Sequence, residues 1–567
     1  VFSVFDIESR NWKDFLIMGS YDGDNYYEHK SISEFMEYSF SPNHTNSTYY
    51  AHFGGIFDFL FVIDFLFSQN TDDYEIKNLI LQGRKILKFD IKHNQRQISF
   101  IDSSGLFPFS LEKLTHSFDV EHKKLKEDVS NITKITKKLK KYLEHDCKGL
   151  HESLVKFSKT KYINEVGLKL TRSGTSFAVY KKFFNDKLPQ IPEAVKKFGR
   201  SSYFGGRTEI FKPLYKGKTR PLNVYDINSL YPSTMHDFQY PAEFSHWSTE
   251  FNLNKFSIYH AVVHCPDNLR IPLLPTKQTG KLIFPRGYFE GHFTNVELKK
   301  ALELGYKIIE IKRSAFFKNG GFMFKDFIKH FYDLRKKSND PVEKIIYKDI
   351  MNHLYGRLAI NEEREVITFD KGDKIHSIMD FKDYEIRLYS TNKRIFTYSN
   401  PILSSFVTSY ARIRLYEYME KVKFDVYYCD TDSIFTPKKL SESNNLGKMK
   451  LEYRLKEACF LLPKTYVGKM IDGDIIRKMK GFPQKNIGHI DYNDFVESIS
   501  GDIRLGPVKT NSGLAGFKTA MKKGEVLHVL PESTKQLRHK YDKRHITFKN
   551  GNYDSIPIKL TYQGGFL

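Results

Sequence analysis

Apolar positions along the chain cluster with two different periods. Short strand-like runs occur at Val1–Glu8, Leu222–Ile227, Ser257–His264 and Val426–Phe435, where β-branched and aromatic residues crowd between turn formers. Helical spacing predicts helices over 293–304, 323–337 and 341–359, so the second half reads as mixed α+β without internal repeats. The most apolar stretch, Phe53 to Phe67, carries Asp58 and Asp64 and falls short of the roughly 20 residues a membrane-spanning helix requires. No membrane span is predicted. The Lys-rich tract from His122 to Lys141 reads as a solvated helix face. Between Lys187 and Lys212, Pro189, Pro192, Gly199, Gly205 and Gly206 interrupt any regular pattern, which places a domain boundary there.

Composition adds a partner class. At roughly 100 to 200 residues per domain, the 567 residues imply about three to five structural units. Lys and Arg total 89 against 67 Asp and Glu, a surplus of +22. Such a surplus favours polyanions, because cations that neutralise phosphates release condensed counterions, and nucleic acid is the leading candidate. Cys147, Cys265, Cys429 and Cys459 are far apart with no C-x-x-C pair, so neither a zinc cluster nor a disulfide framework is expected. The chain does not begin with Met and opens without a basic leader, which leaves room for a missing natural N-terminus. Heavy use of Phe (48) and Tyr (35), with many Asn, Lys and Ile, fits AT-rich coding and hints at an organellar, plasmid or viral gene.

The chemistry lies in dispersed acids. Asp226 ends a short buried strand, and Asp430 and Asp432 stand at i, i+2 between apolar flanks, a spacing that in a strand or tight hairpin sets both carboxylates on one face. Carboxylates in apolar strands are costly without a compensating cation, and Mg²⁺ takes carboxylate and phosphate oxygens, so a metal-dependent phosphoryl site is predicted. A hairpin whose acids merely cap backbone amides is the bland reading, at about even odds for the motif in isolation. The helix between the acids decides. Asp340 caps it, Pro341 and Glu343 suit its first turn, and Lys344, Lys348, Asn352 and Tyr355 form one stripe followed by Gly356. Arg335 joins from an antiparallel neighbouring helix, and the group reads as a phosphate clamp. At the other end of the chain, Asp6 and Glu8 at i, i+2, with Asp58 and with Tyr142 and Asp146, suggest a second two-metal site.

Three of these segments, Asp226-x-x-Ser229-Leu-Tyr231-Pro-Ser233, Lys348-x-x-x-Asn352-x-x-Tyr355-Gly356 and Tyr428-x-Asp430-Thr-Asp432-Ser433, resemble motifs A, B and C of family B DNA polymerases, in the right order. Lys464-Thr-Tyr466 resembles that family's primer-binding K-x-Y motif and Tyr203-Phe-Gly205-Gly206 its Y-x-G-G linker. The resemblance implies an α+β multidomain fold: an RNase H-like 3′-to-5′ exonuclease over 1–195, then a right-hand polymerase. Within the hand it implies palm at 196–320 with a first insert, fingers at 321–360, a second insert at 361–398, palm again at 399–475 and thumb at 476–567. By the same resemblance Asp6, Glu8, Asp58 and Asp146 are exonuclease metal ligands and Tyr142 orients the attacking water. Asp226 and Asp432 would hold two Mg²⁺ ions, with Mn²⁺ as a substitute, and Asp430 would support the metals or the primer end. Lys348, Arg335 and Lys344 would face the nucleotide phosphates, with Asn352 on the same stripe, Tyr231 would block a ribose 2′-hydroxyl and Tyr355 would pack under the base pair. Tyr203, Gly205, Gly206, Gly356, Lys464 and Tyr466 would meet DNA.

Two positions depart from the family pattern. His353 stands where Ser is usual, and His52-Phe-Gly-Gly-Ile56 lacks the Asn that precedes the second exonuclease acid in related sequences. The lengths between motifs resemble the protein-primed branch of bacteriophages and linear plasmids. That branch implies primer-template DNA, deoxynucleotides and a terminal protein as partners, and a mitochondrial setting. Rival readings are a nuclease with a non-catalytic DNA-holding half, and a DNA-binding factor without chemistry. A reverse transcriptase is disfavoured because Thr431 separates the acids, and a helicase because Gly217-Lys218-Thr219 lacks the rest of a Walker loop.

Overall fold

The computed structural model describes residues 2–44, 47–68, 74–126, 134–184, 188–217, 219–369, 371, 373–380, 385–394, 396, 398–499, 508–510, 512–535 and 541–561. Val1, residues 127–133 of the Lys-rich tract, Lys187 and Lys218 lie outside them.

Among the described residues three large sheets organise an α+β, multidomain chain. In the N-terminal sheet, Phe2–Arg10 pairs antiparallel with Asp14–Tyr21 and parallel with Thr48–Ala51, which in turn pairs parallel with Arg96–Asp102. Phe5, Tyr49, Phe59, Phe89 and Phe100 fill its core as interlocking rings. The sheet grows to ten strands because Glu363–Thr368, Lys374–Asp380 and Glu385–Arg394, from far along the chain, join it through Ile367 opposite Leu79. Buried Glu362 secures that junction by accepting from Lys196 (2.6 Å), Arg394 (2.6 Å) and the Ser399 amide (2.8 Å).

The second sheet has eight strands with Leu222–Ile227 at its centre, between Met449–Leu462 and Ser433–Thr436. The third sheet carries Ser257–Cys265 between Lys307–Asn319 and Arg286–Thr294, with Lys559–Leu560 at its edge. The 276–305 region contributes a short hairpin, the strand Arg286–Thr294 and the helix Asn295–Glu303 to this part of the fold. Helices Lys325–Lys337 and Pro341–Leu358 form the expected antiparallel pair, and the Asp340 side chain accepts from the Val342 amide at 2.8 Å. Ser338 donates to Glu343 at 2.7 Å, closing the turn between them. Ile475–Met479 extends the eight-stranded sheet, Phe517 and Met521 enter the N-terminal core, and Arg544, fully buried, bonds Ser555 and the Arg270 carbonyl.

The apolar 53–67 stretch is a short 3-10 turn, Gly54–Ile56, followed by a helix that begins at Asp58. One local expectation needs correction. The Lys-rich tract is not one solvated helix face. Its described part from His122 to Lys126 is non-helical, and the helix Lys137–Lys159 starts at the Thr136 cap. At that start Thr136 supplies an acceptor for the Leu139 amide.

Gly55 sits where a β-carbon would come within 1.8 Å of the Ile86 carbonyl oxygen. Gly55→Ala is therefore expected to destabilise the N-terminal sheet by about 1–3 kcal/mol, read as lost amide-exchange protection in Lys85–His93 while Leu222–Ile227 keeps its own.

Candidate active sites

In the second half, chain register brings Asp226 opposite Ser433, beside the hairpin that carries Asp430 and Asp432. The hairpin turns through Thr431 in a left-handed conformation (φ +63°). It is fastened on both sides: the Thr431 amide donates to the Arg207 carbonyl (2.7 Å), and the Asp432 carbonyl accepts from the Ile227 amide (2.8 Å). Burial, then the neighbouring Asp432 charge, pushes the Asp226 carboxyl up to about 7. Burial, then Asp430, raises Asp432 to about 6, while Lys348 acts in the opposite direction on both.

Asp430 has a different environment. Both its oxygens accept from Lys464 Nζ, at 2.7 and 2.8 Å, and Oδ1 also accepts from Thr208 at 3.1 Å. The i, i+2 spacing predicts one shared face, but left-handed Thr431 breaks the strand between the two acids and gives them separate partners.

Around this pair, Lys344 and Lys348 are exposed, and the Asn352 amide donates to the Lys348 carbonyl at 2.7 Å. Tyr355 stacks on Tyr231 with ring centres 4.2 Å apart. Gly206 is pressed against both motifs, since a β-carbon there would lie 2.8 Å from Thr431 Cγ2 and 3.0 Å from the Tyr231 hydroxyl. Gly205 and Gly356 face open space. Buried Arg412, paired with Glu297 at 2.7 Å, donates to the Phe204 and Gly205 carbonyls and so fixes the linker after half-buried Tyr203. Arg335, half-buried, lies in the last turn of Lys325–Lys337. Tyr466 points into the sheet core, its hydroxyl 3.1 Å from that of Tyr453. His353 Nδ1 donates to the Asp349 backbone carbonyl (2.8 Å), and the Asp349 carboxylate pairs with Arg172.

The N-terminal acids also converge. Asp6 and Glu8 lie on the first strand, Asp58 opens its helix and accepts from the Ile7 amide at 2.9 Å, and Asp146 projects from Lys137–Lys159. They line one cleft of about 1130 Å³ with Tyr142, His52 and the 510–535 segment. Burial, then Asp58, Asp146 and Glu8, raises the Asp6 carboxyl well above its usual range. Burial raises Glu8 to about 7 and Asp58 to about 8. Lys124 ion-pairs with Asp146 and lies 4.3 Å from the Tyr142 ring centre. Its own burial is outweighed by Asp146 and Asp6, so it stays protonated. His52 is held by Ser103 (2.9 Å) and the Phe109 carbonyl (2.8 Å), so both ring nitrogens are engaged, and burial lowers it to about 4.

Both centres suit a divalent cation chemically, being buried or half-buried carboxylates whose proton affinity burial and their neighbours raise. Asp146 Oδ1, moreover, is buried without a partner. The four N-terminal acids do not close on a single-ion point. Among the described residues the one trio with ligand atoms within 4.8 Å of each other is Glu121, His122 and Glu152. A pair of ions about 3.5–4 Å apart spreads its ligands more widely than one ion does.

Sequence reasoning missed three functional neighbours: Lys124, the Lys464–Asp430 pairing and Arg412. Lys124 is one lysine among many in its tract, and nothing periodic sets it apart.

Without divalent ions, stability should fall as pH rises from 3.8 through about 7, because folded Asp226 holds a proton that the unfolded chain has released. Melting midpoints measured between pH 5 and 8 in chelator should fall less steeply for Asp226→Asn than for the parent.

The family model for "DNA polymerase type B, organellar and viral" matches residues 40–134 and 125–423. A "probable DNA polymerase" of Neurospora intermedia is 28% identical over 548 residues, covering 80% of this chain and 55% of that protein. The "DNA-directed DNA polymerase" of Enterobacteria phage PRD1 is 28% identical over 405 residues, covering 68% and 66%. The chain spans about half the length of several fungal relatives it matches. In fold it is similar to phi29 DNA polymerase complexed with primer-template DNA and incoming nucleotide substrates, with TM-score 0.75 at 19% identity over 95% of this chain and 100% of that one. By its sequence match across more than half its length, the chain belongs to the organellar and viral type B DNA polymerases.

Proposed function

We propose that this chain is a DNA-directed DNA polymerase that adds deoxyribonucleotides to a primer 3′-hydroxyl and proofreads with a 3′-to-5′ exonuclease. The observation that carries the reading is the existence of two separate centres of mutually repelling carboxylates, one of them within electrostatic reach of Lys348. The N-terminal part, 1–195, is read as an RNase H-like nuclease. Its parallel pairing of Phe2–Arg10 with Thr48–Ala51 and of that strand with Arg96–Asp102, beside an antiparallel hairpin, supports this. The remainder is read as palm (196–320 with a first insert, and 399–475), fingers (321–360), a second insert (361–398) and thumb (476–567).

Magnesium, two ions per centre with manganese as substitute, would be held by Asp226 and Asp432 in one and by Asp6, Glu8, Asp58 and Asp146 in the other. There it supplies Lewis acidity to the attacking and leaving oxygens. The chain's own groups do the positioning. Lys348, with Arg335 and Lys344, neutralises charge developing on the triphosphate, an electrostatic rather than proton-transfer role. Tyr231, stacked on Tyr355, closes the space a ribose 2′-hydroxyl would need. Lys464, held by Asp430, offers its ammonium to the primer terminus, and buried Tyr466 supports that strand from behind. Gly205 and Gly356 leave backbone open to DNA. In the nuclease, Tyr142 and Lys124 flank Asp146 and orient the attacking water.

The partners are primer-template DNA, deoxynucleotides and a terminal protein primer, in protein-primed replication of a linear plasmid or genome. The fungal relatives support a mitochondrial setting. No described helix is long and apolar enough to cross a membrane.

Primer extension tests the reading. Asp432→Ala should lower nucleotide addition by about 10²-fold or more and leave degradation of single-stranded DNA intact, whereas Asp6→Ala should do the reverse. Failure of the parent chain to extend a primer would leave only the DNA-holding scaffold. Tyr231→Ala should raise ribonucleotide incorporation relative to deoxyribonucleotide, scored by alkali-sensitive sites in the product.

A further inference from the structure

Lys124 reaches the nuclease centre from a segment with no secondary structure, Glu121–Lys126. An ammonium on a loop is poorly placed unless something fixes the loop, because its side-chain and backbone freedom must be removed before it can act. That fixing is visible along one stripe of the helix Lys137–Lys159. Lys156 Nζ donates to the Phe118 and Asp119 carbonyls at 3.0 and 2.8 Å. The Glu152 carboxylate takes both the His122 amide (3.1 Å) and the His122 ring Nδ1 (2.5 Å), one oxygen for each. Gly149 leaves room for the strap backbone: a β-carbon there would lie 2.3 Å from the His122 carbonyl oxygen. His145 Nδ1 meets the Lys123 carbonyl at 3.2 Å. Asp146 itself takes the Lys124 ammonium. Residues 145, 149, 152 and 156 recur at intervals of four, three and four, so they share a helix face.

We propose that Glu152, acting through His122, is a positioning residue of the exonuclease: it clasps the 118–124 strap to this helix so that Lys124 stays on Asp146. The inference rests on the nuclease reading above and adds a residue that touches neither DNA nor metal. The same carboxylate grips a backbone amide and a ring of a single strap residue, so translation and rotation of the strap are both restrained two residues before Lys124. The Glu121, His122 and Glu152 trio is accordingly a clasp, with exposed Glu121 at its rim.

The test is a double-mutant cycle on the full-length chain, following single-stranded DNA degradation in Mg²⁺, with primer extension as the control for folding. Glu152→Ala should cut the nuclease turnover number by about 10- to 100-fold with little change in KM, and leave extension unchanged. Gly149→Ala should act in the same direction by lifting the strap, and Glu152→Gln, which keeps an acceptor for the amide, should lose less. In a Lys124→Ala background, Glu152→Ala should have no further effect, because the group it positions is already gone. Additive losses, or full nuclease activity in both Glu152→Ala and Gly149→Ala, would overturn the clasp while leaving the nuclease reading in place. A parent chain that degrades no DNA would overturn both.

Discussion

Like charge gathered in partly buried surroundings is the constraint on which both halves of this chain depend. Asp226 with Asp432, and Asp6 with Glu8, Asp58 and Asp146, are each placed where ionisation is opposed by burial and by the neighbours. A chain selected for stability alone would not keep them, since isolated carboxylates are expelled from such sites or neutralised. The surrounding structure supplies partial compensation. Lys124 sits on Asp146, Lys464 on Asp430, and Lys348 lowers the proton affinity of Asp226 and Asp432 without contacting either. What remains uncompensated is negative charge that burial and the neighbouring acids oppose.

In the second half the backbone sets where the acids stand. Asp226 lies on a central strand with partners on both sides, and the hairpin of Asp430 and Asp432 is hydrogen-bonded to the Arg207 and Ile227 backbones. Central strands move least, because every backbone group is paired and both faces are packed. Exposed Lys344 and Lys348 instead ride on Pro341–Leu358, whose other face packs on Arg172–Phe183 of the N-terminal half. There Arg172 reaches Asp349, so the two halves touch through the same helix that carries Lys348.

That coupling is repeated elsewhere. The 363–394 strands extend the N-terminal sheet, and Trp12 donates to Ser512 at 2.9 Å across the N-terminal cleft. The two carboxylate centres are therefore built on one connected framework. The net charge of +22 suits a polyanionic partner.

Local order determined a good deal. The helices at 295–303, 325–337 and 341–358 and the strands at 222–227 and 257–265 follow from apolar spacing and from caps such as Asp340, because those signals act within a few residues. The acids could be picked out because carboxylates among apolar neighbours are rare without a purpose. Grouping them into two sites took the resemblance to a known family, because spacing along the chain does not say which distant segments meet. Asp430 and Asp432 are two residues apart yet part company at a left-handed Thr431, whereas Asp6 and Asp146, 140 residues apart, end in one cleft. Lys124 was lost among identical lysines, and only the helix face of His145, Gly149, Glu152 and Lys156 shows why that one is held. Spacing along a chain fixes which side chains share a face. Which faces meet is decided by long-range packing, where burial and charge of distant segments are settled together.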